Sequence, residues 1–186
     1  PALSVALAKF IKEKPRYYTY RFIYIPETIG SITYLSRNLE VLKKNTVAGF
    51  VLSCVGDNRD YSYVKTRYGN TITDKLLENT LKHLVPSHKA YSFYHRGSDE
   101  RQFNAPGVDL PVCSVSRTKY GAYPEYHTSK DDLNLISPEG FAGEYEVMTK
   151  SLLVLENNFK YRINVFCEPQ LGKRGLYPTI SQKGSY

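Results

Sequence analysis

Residues 48–56, AGFVLSCVG, form an almost unbroken apolar run. A strand that is apolar at nearly every position must be covered on both faces, which is the situation of a central strand in a parallel sheet. Covering both faces takes helices, and the surrounding sequence supplies them. Leu3, Leu7, Phe10 and Ile11 fall at helical spacing, and Pro15 stops that run. A second amphipathic segment covers about 31–44, and a third, TITDKLLENTLKHL, places Ile72, Leu76, Leu77, Leu81 and Leu84 on one face. A fourth runs from about 138 to 157, with Pro138 suited to a first helical turn. Between them lie further strand-like stretches, YYTYRFIYI at 17–25, AYSFY and DLPVCSV, while the Tyr-rich stretch after Asp57 reads as irregular. Such alternation predicts an α/β domain: a mostly parallel sheet flanked by helices on both faces.

At 186 residues the chain accommodates one domain of this kind, placed at 1–160, followed at 161–186 by a Gly-, Pro- and Lys-containing tail or linker. No apolar run approaches the roughly 18 residues of a spanning helix, and the N-terminus lacks a basic stretch before a cleavable apolar one. No membrane partner is expected, and a cytoplasmic location is. The net charge of +7 comes from Lys and Arg residues that never run longer than two, so nucleic acid is not an expected partner either. Cys54, Cys113 and Cys167 are odd in number and form no CxxC pair, which suits reduced residues behaving as small hydrophobes.

In a parallel sheet, sites form at the carboxyl ends of the strands. Polar residues fall there in this sequence. Glu27 follows the first strand-like run, Asp57 the second, 98–101 the third and 125–132 the fourth. Glu27 has the chemistry of a general base, and also that of a first-turn acid facing a helix dipole. Asp57 can face a cleft or make an Asp-Asn turn. His127, in YPEYHTSKDDL, can be a metal ligand with Asp131 orienting its second nitrogen, or a solvated loop residue. The loop RGSDERQF gathers Arg96, Asp99, Glu100 and Arg101, a mixture that reads a polar substrate or pairs with itself. His83, His88 and His95 lack comparable neighbours and read as surface or packing residues.

Taken in order, strand-PETIGS, strand-VGD, GSDERQF-x-x-PGVDLPV and YPEYHTSKDDL resemble the co-catalytic zinc aminopeptidases. The order is similar above all to an aminopeptidase-like branch that is often found beside polysaccharide-biosynthesis genes and has no assigned substrate. The similarity runs from about residue 1 to 157. It implies zinc as cofactor, Glu27 as general base, Asp57 and His127 as zinc ligands, and Asp131 as the carboxylate behind the histidine. Ser98, Asp99, Glu100 and Arg101, with Tyr126, would line the cavity for a small peptide, aminoacyl or other amide-bearing substrate.

The sequence departs from that family in two places. The usual Glu-Glu pair reads Glu27-Thr28, which removes a ligand of the second zinc and makes a single-zinc site plausible. The family's H-x-D and Asp-Asn motifs belong upstream of the first helix and do not occur here, so the chain reads as a fragment with weak metal binding and little activity. By the same resemblance the tail from Tyr161 leads into a winged-helix-like region. Two functions follow as expectations. One is a zinc-dependent amide hydrolase of aminopeptidase type in the intact protein. The other is a non-catalytic module that binds a glycan or peptide intermediate on a degenerate hydrolase fold.

Overall fold

A computed structural model describes residues 1–167 and 170–176. It is built from α1 (Ala2–Lys12), α2 (Ile29–Asn45), β1 (Gly49–Leu52), β2 (Ser62–Val64), α3 (Ile72–Leu84), β3 (Lys89–Tyr91), α4 (Glu100–Phe103), β4 (Val112–Ser116) and α5 (Pro138–Glu156), with 3-10 turns at Phe93–His95 and Leu171–Arg174. The four strands form one sheet in the order β1-β4-β2-β3. The β1–β4 and β2–β3 pairings are parallel and β2–β4 is antiparallel, so the mostly parallel sheet holds. The antiparallel pairing, which sets β2 and β3 opposite to β1 and β4, is made by β2, the part of the Tyr-rich stretch that the sequence reading leaves irregular. It has only three residues, all buried, and is too short to announce a period.

Side chains alternate across the sheet as pleating requires. Phe50, Leu52, Cys113 and Val115 face a core shared with Leu3 and Leu7 of α1, Leu77 and Leu81 of α3, and Val147, Met148 and Leu152 of α5. Val51 and Val112 face the opposite side, where Leu35 and Leu39 of α2 and Phe103 of α4 cover them. Helices therefore flank both faces, as the apolar run at 48–56 demands. The start of α5 is fixed by Ser137, whose hydroxyl accepts the Gly140 N–H at 3.0 Å, with Pro138 in the first turn. A Cβ on Gly140 would lie 2.1 Å from the Gly56 carbonyl oxygen. Only glycine lets this turn rest directly on the backbone just past β1.

The expected strand at 17–25 does not form. Residues 19–26 take no regular secondary structure and pair with no strand among the described residues. The segment is instead drawn to the end of α5. Glu156 accepts the Tyr17 N–H at 2.7 Å, the Tyr18 N–H at 3.3 Å and the Tyr20 hydroxyl at 2.6 Å. Aromatic and β-branched composition reports fitness for a pleated surface, and it cannot provide a neighbouring strand. AYSFY is likewise a strand only through Tyr91, after which it turns into the 3-10 segment. Of the tail, 168, 169 and 177–186 lie outside the described residues. Among the described residues, no helix is long and apolar enough to cross a membrane.

Candidate functional site

The turn that carries Glu27 is strained. The Ile29 N–H donates to the Glu27 carbonyl at 2.7 Å, and Thr28 between them has φ 63° and ψ −69°. This is a three-residue γ-turn of the rare positive-φ kind, with a β-branched residue in a region L-residues avoid. Asp99 holds it in place: one carboxylate oxygen accepts the Thr28 N–H at 2.8 Å and the Ser31 hydroxyl at 2.9 Å. Arg101 donates to the Thr28 hydroxyl at 2.8 Å. Glu27 is left exposed just ahead of α2.

The 97–103 loop was expected to line a cavity with four side chains, and the structure divides them differently. Glu100 is fully buried and accepts the Gly97 N–H at 2.8 Å, the Ser98 N–H at 3.3 Å and the Tyr120 hydroxyl at 2.5 Å. It braces the loop from within. Burial, followed by the Glu100 contact, pushes the Tyr120 hydroxyl well above its ordinary value. Ser98 is also buried and Asp99 serves the Glu27 turn, so only Arg101 of the four is exposed.

Asp57 is 6% exposed and already occupied. One oxygen accepts the Thr118 N–H at 3.0 Å; the other accepts the Thr118 hydroxyl at 2.5 Å and the Arg59 N–H at 3.1 Å. It joins the end of β1 to the segment after β4, with both oxygens accepting bonds. Next to it Arg117, almost fully buried, donates to the carbonyls of Asp60 at 2.7 Å and Gly140 at 3.0 Å and to the Asn58 side chain at 2.9 Å. Its guanidinium lies 3.6 Å from the centre of the Tyr61 ring. Glu144, 1% exposed, completes this buried group. Burial pushes its carboxyl up to about 7, opposed by the Arg117 charge and assisted by that of Asp57.

The 121–131 loop is tied to the β1–β2 connection by Arg59, whose guanidinium meets Glu125 through two bonds of 2.9 and 2.8 Å. The Tyr123 hydroxyl lies 3.4 Å from Cys54 Sγ and 3.3 Å from Asp131 Oδ2. Asp131 thus faces a tyrosine rather than orienting His127. The His127 ring is exposed and stacks on Tyr126 with centroids 3.9 Å apart. Burial, then Coulomb interaction with Cys54, Glu27 and Asp131, raises the Tyr126 hydroxyl above its ordinary range. Thr28, Cys54 and His127 are three of the five described non-glycine residues at positive φ. Concentrated backbone strain of this kind marks functional sites. By composition Cys54 passes for a core hydrophobe and Tyr123 carries no signal; the available signal is the position of Cys54 two residues past the end of β1.

Among the described residues, no group of three or more His, Cys, Asp and Glu side chains could hold a metal ion. A catalytic zinc site ordinarily has three protein ligands. With Asp57 bonded on both oxygens and Asp131 turned to Tyr123, the residues of this chain do not by themselves fit zinc.

Comparison with known proteins gives this arrangement its relatives. A Clostridium acetobutylicum protein named for polysaccharide biosynthesis and an aminopeptidase-like domain is 43% identical over all 186 residues, and the chain spans 42% of its length. A crystal structure from the same organism, named as a peptidase, superposes with a TM-score of 0.85 at 43% identity, covering 94% of this chain and 41% of that one. The Bacillus subtilis zinc aminopeptidase BSAP shares the fold, with a TM-score of 0.69 at 18% identity over 87% of this chain and 42% of that one. A winged helix-turn-helix family matches residues 160–186. Residues 1–158 match the family described as a domain of unknown function, DUF4910, and the chain belongs to that family, with an aminopeptidase-like α/β fold.

Proposed function

We propose that this chain contributes to an amide hydrolase of aminopeptidase type, in which Glu27 is the general base. The strained turn at 27–29 carries this reading, because a carboxylate held on a γ-turn that three other side chains stabilise is positioned at a cost that packing alone does not require. Glu27 takes the proton of the attacking water and delivers it to the departing amine. Tyr126 and Arg101 contact the substrate, a small peptide or aminoacyl amide, while Asp99 and Glu100 hold the loop and Asp57 holds the sheet end. The zinc of the aminopeptidase relatives belongs, in this reading, to the whole protein; His127 is the ligand this chain offers, and no step is assigned to the metal. Residues 1–160 form the hydrolase part, and the tail leads to a separate region.

The test uses the longest native form of the protein with a panel of aminoacyl anilides and dipeptides. Hydrolysis should fall by about a hundredfold or more in Glu27→Gln, the usual weight of a general base. Zinc stoichiometry by plasma mass spectrometry should give one or two ions per long chain. Turnover that survives Glu27→Gln overturns the assignment.

A second reading, a non-catalytic binding module, is favoured by one observation: the carboxylate expected to ligate metal, Asp57, is committed to Thr118 and Arg59. Absence of zinc and of turnover in the long form, with retained affinity for a glycan or peptide, would select it.

A further inference from the structure

A cleft of about 620 Å³ opens beside the 97–103 loop, between residues 65–69 and 92–96. Lys65, Arg67, Arg96 and Arg101 line it, no carboxylate does among the described residues, and Phe93 and Tyr94 supply aromatic surface. Arg67 is paired with Asp109, whereas Lys65, Arg96 and Arg101 have no ion-pair partner among the described residues. Basic residues scattered over a surface are ordinary, but four facing one concavity repel one another, and a cleft walled by one sign of charge concentrates its field there.

The guanidinium groups are also held in place. Arg67 sits 4.7 Å from the centre of the Tyr68 ring and donates to the Tyr68 hydroxyl at 3.0 Å. Arg96 sits 4.8 Å from the centre of the Phe93 ring and donates to the Phe93 carbonyl at 3.3 Å. Arg101 is held by the Thr28 hydroxyl at 2.8 Å. In each, the bonds within the described residues come from a single terminal nitrogen, leaving the other and Nε for a ligand. A planar guanidinium with two free N–H directions matches phosphate or carboxylate. Tyr94 is 92% exposed, an unprotected ring at the same place.

We propose that this cleft binds an oxyanion, phosphate or carboxylate, carried on a small ring-bearing molecule. The charge sits against Arg96, Arg101 and Lys65, and the ring against Phe93 or Tyr94. Sugar phosphates and acidic sugars have this chemistry. The proposal deepens the substrate-lining role of the 97–103 loop and rests on it, but it is read by binding, without turnover.

Isothermal titration of the longest native form with glucose 1-phosphate, glucuronate, glucose and inorganic phosphate tests it. At least one charged sugar should bind about tenfold or more tightly than glucose and weaken between ~50 and ~500 mM salt. Which of the two binds distinguishes phosphate from carboxylate. Lys65→Ala combined with Arg96→Ala should reduce that affinity about tenfold while the melting temperature stays with the wild type. Tyr94→Ala should weaken the sugar and leave inorganic phosphate unchanged. Equal affinity for glucose, no anion binding, or an unaffected Lys65→Ala/Arg96→Ala protein would overturn the proposal, and inorganic phosphate binding as tightly as the sugars would remove its ring. Charged sugars bound without any amide hydrolysis uphold the cleft and defeat the hydrolase; hydrolysis of neutral amides without oxyanion binding does the reverse.

Discussion

Replacing Glu144 by glutamine should make this protein more stable, and more so as pH rises. The side chain is 1% exposed, its Oε1 has no hydrogen-bond partner among the described residues, and burial raises its carboxyl from 4.5 to about 7 despite Arg117 nearby. In the unfolded chain the group ionises near 4.5; in the folded protein it keeps its proton until about 7. Between those values the folded state binds more protons, so stability falls as pH rises, and the penalty is complete above 7. At 1.36 kcal/mol for each pH unit of displacement, the loss from pH 4 to pH 8 is about 3 kcal/mol. Glutamine is nearly isosteric and carries no proton equilibrium. Urea unfolding at pH 4, 6 and 8 should show Glu144→Gln close to wild type at pH 4 and ahead by about 3 kcal/mol at pH 8. An offset that is the same at all three pH values would refute the reasoning, since it would mean that Glu144 does not change its proton affinity on folding.

Substitutions at three further positions probe other parts of the structure. Asp74→Ala removes the carboxylate that caps α3 and accepts from the Thr66 amide and hydroxyl at 2.8 and 2.5 Å; thermal or urea unfolding should register a loss of about 2–4 kcal/mol. Those bonds outweigh burial and keep Asp74 below its ordinary value, so the part of its contribution carried by the ionised form should disappear as pH drops through and below 3.8. At position 28, glycine should be more stable than alanine by about 1 kcal/mol, the reverse of their order within a helix, because only glycine accepts the positive φ without strain. Asp57→Ala should cost about 2–4 kcal/mol by leaving the Thr118 and Arg59 donors unpaired, while zinc content of the long form, measured by plasma mass spectrometry, should match wild type.

The helices were the most legible parts of the sequence because their burial repeats at a fixed spacing. Leu76, Leu77 and Leu81 of α3 are buried as the 3.6-residue period requires. Strands were less so. The run at 17–25 has the composition of a strand and no partner, whereas SYV at 62–64 has a partner on each side and too few residues to signal it. At the candidate site, the order of acidic and polar residues along the chain could be read directly, but their pairings were invisible. The partner that occupies Asp57 is Thr118, 61 residues away, and the one that faces Glu100 is Tyr120, 20 residues away. Such commitments are settled by tertiary approach, which no local pattern encodes. The same holds for Thr28, whose positive φ is imposed through Asp99 from another loop.

Thr28 is gripped from two sides, its amide by Asp99 and its hydroxyl by Arg101, and Arg101 also lines the cleft proposed to take an oxyanion. One guanidinium therefore answers to two claims. A ligand that takes up the nitrogens Thr28 leaves free holds the same guanidinium in place, so cleft occupancy and turn geometry belong to a single linked equilibrium. Reciprocity then fixes the sign in both directions: a substrate analogue that strengthens the grip on Thr28 strengthens anion binding by the same factor that the anion strengthens the analogue.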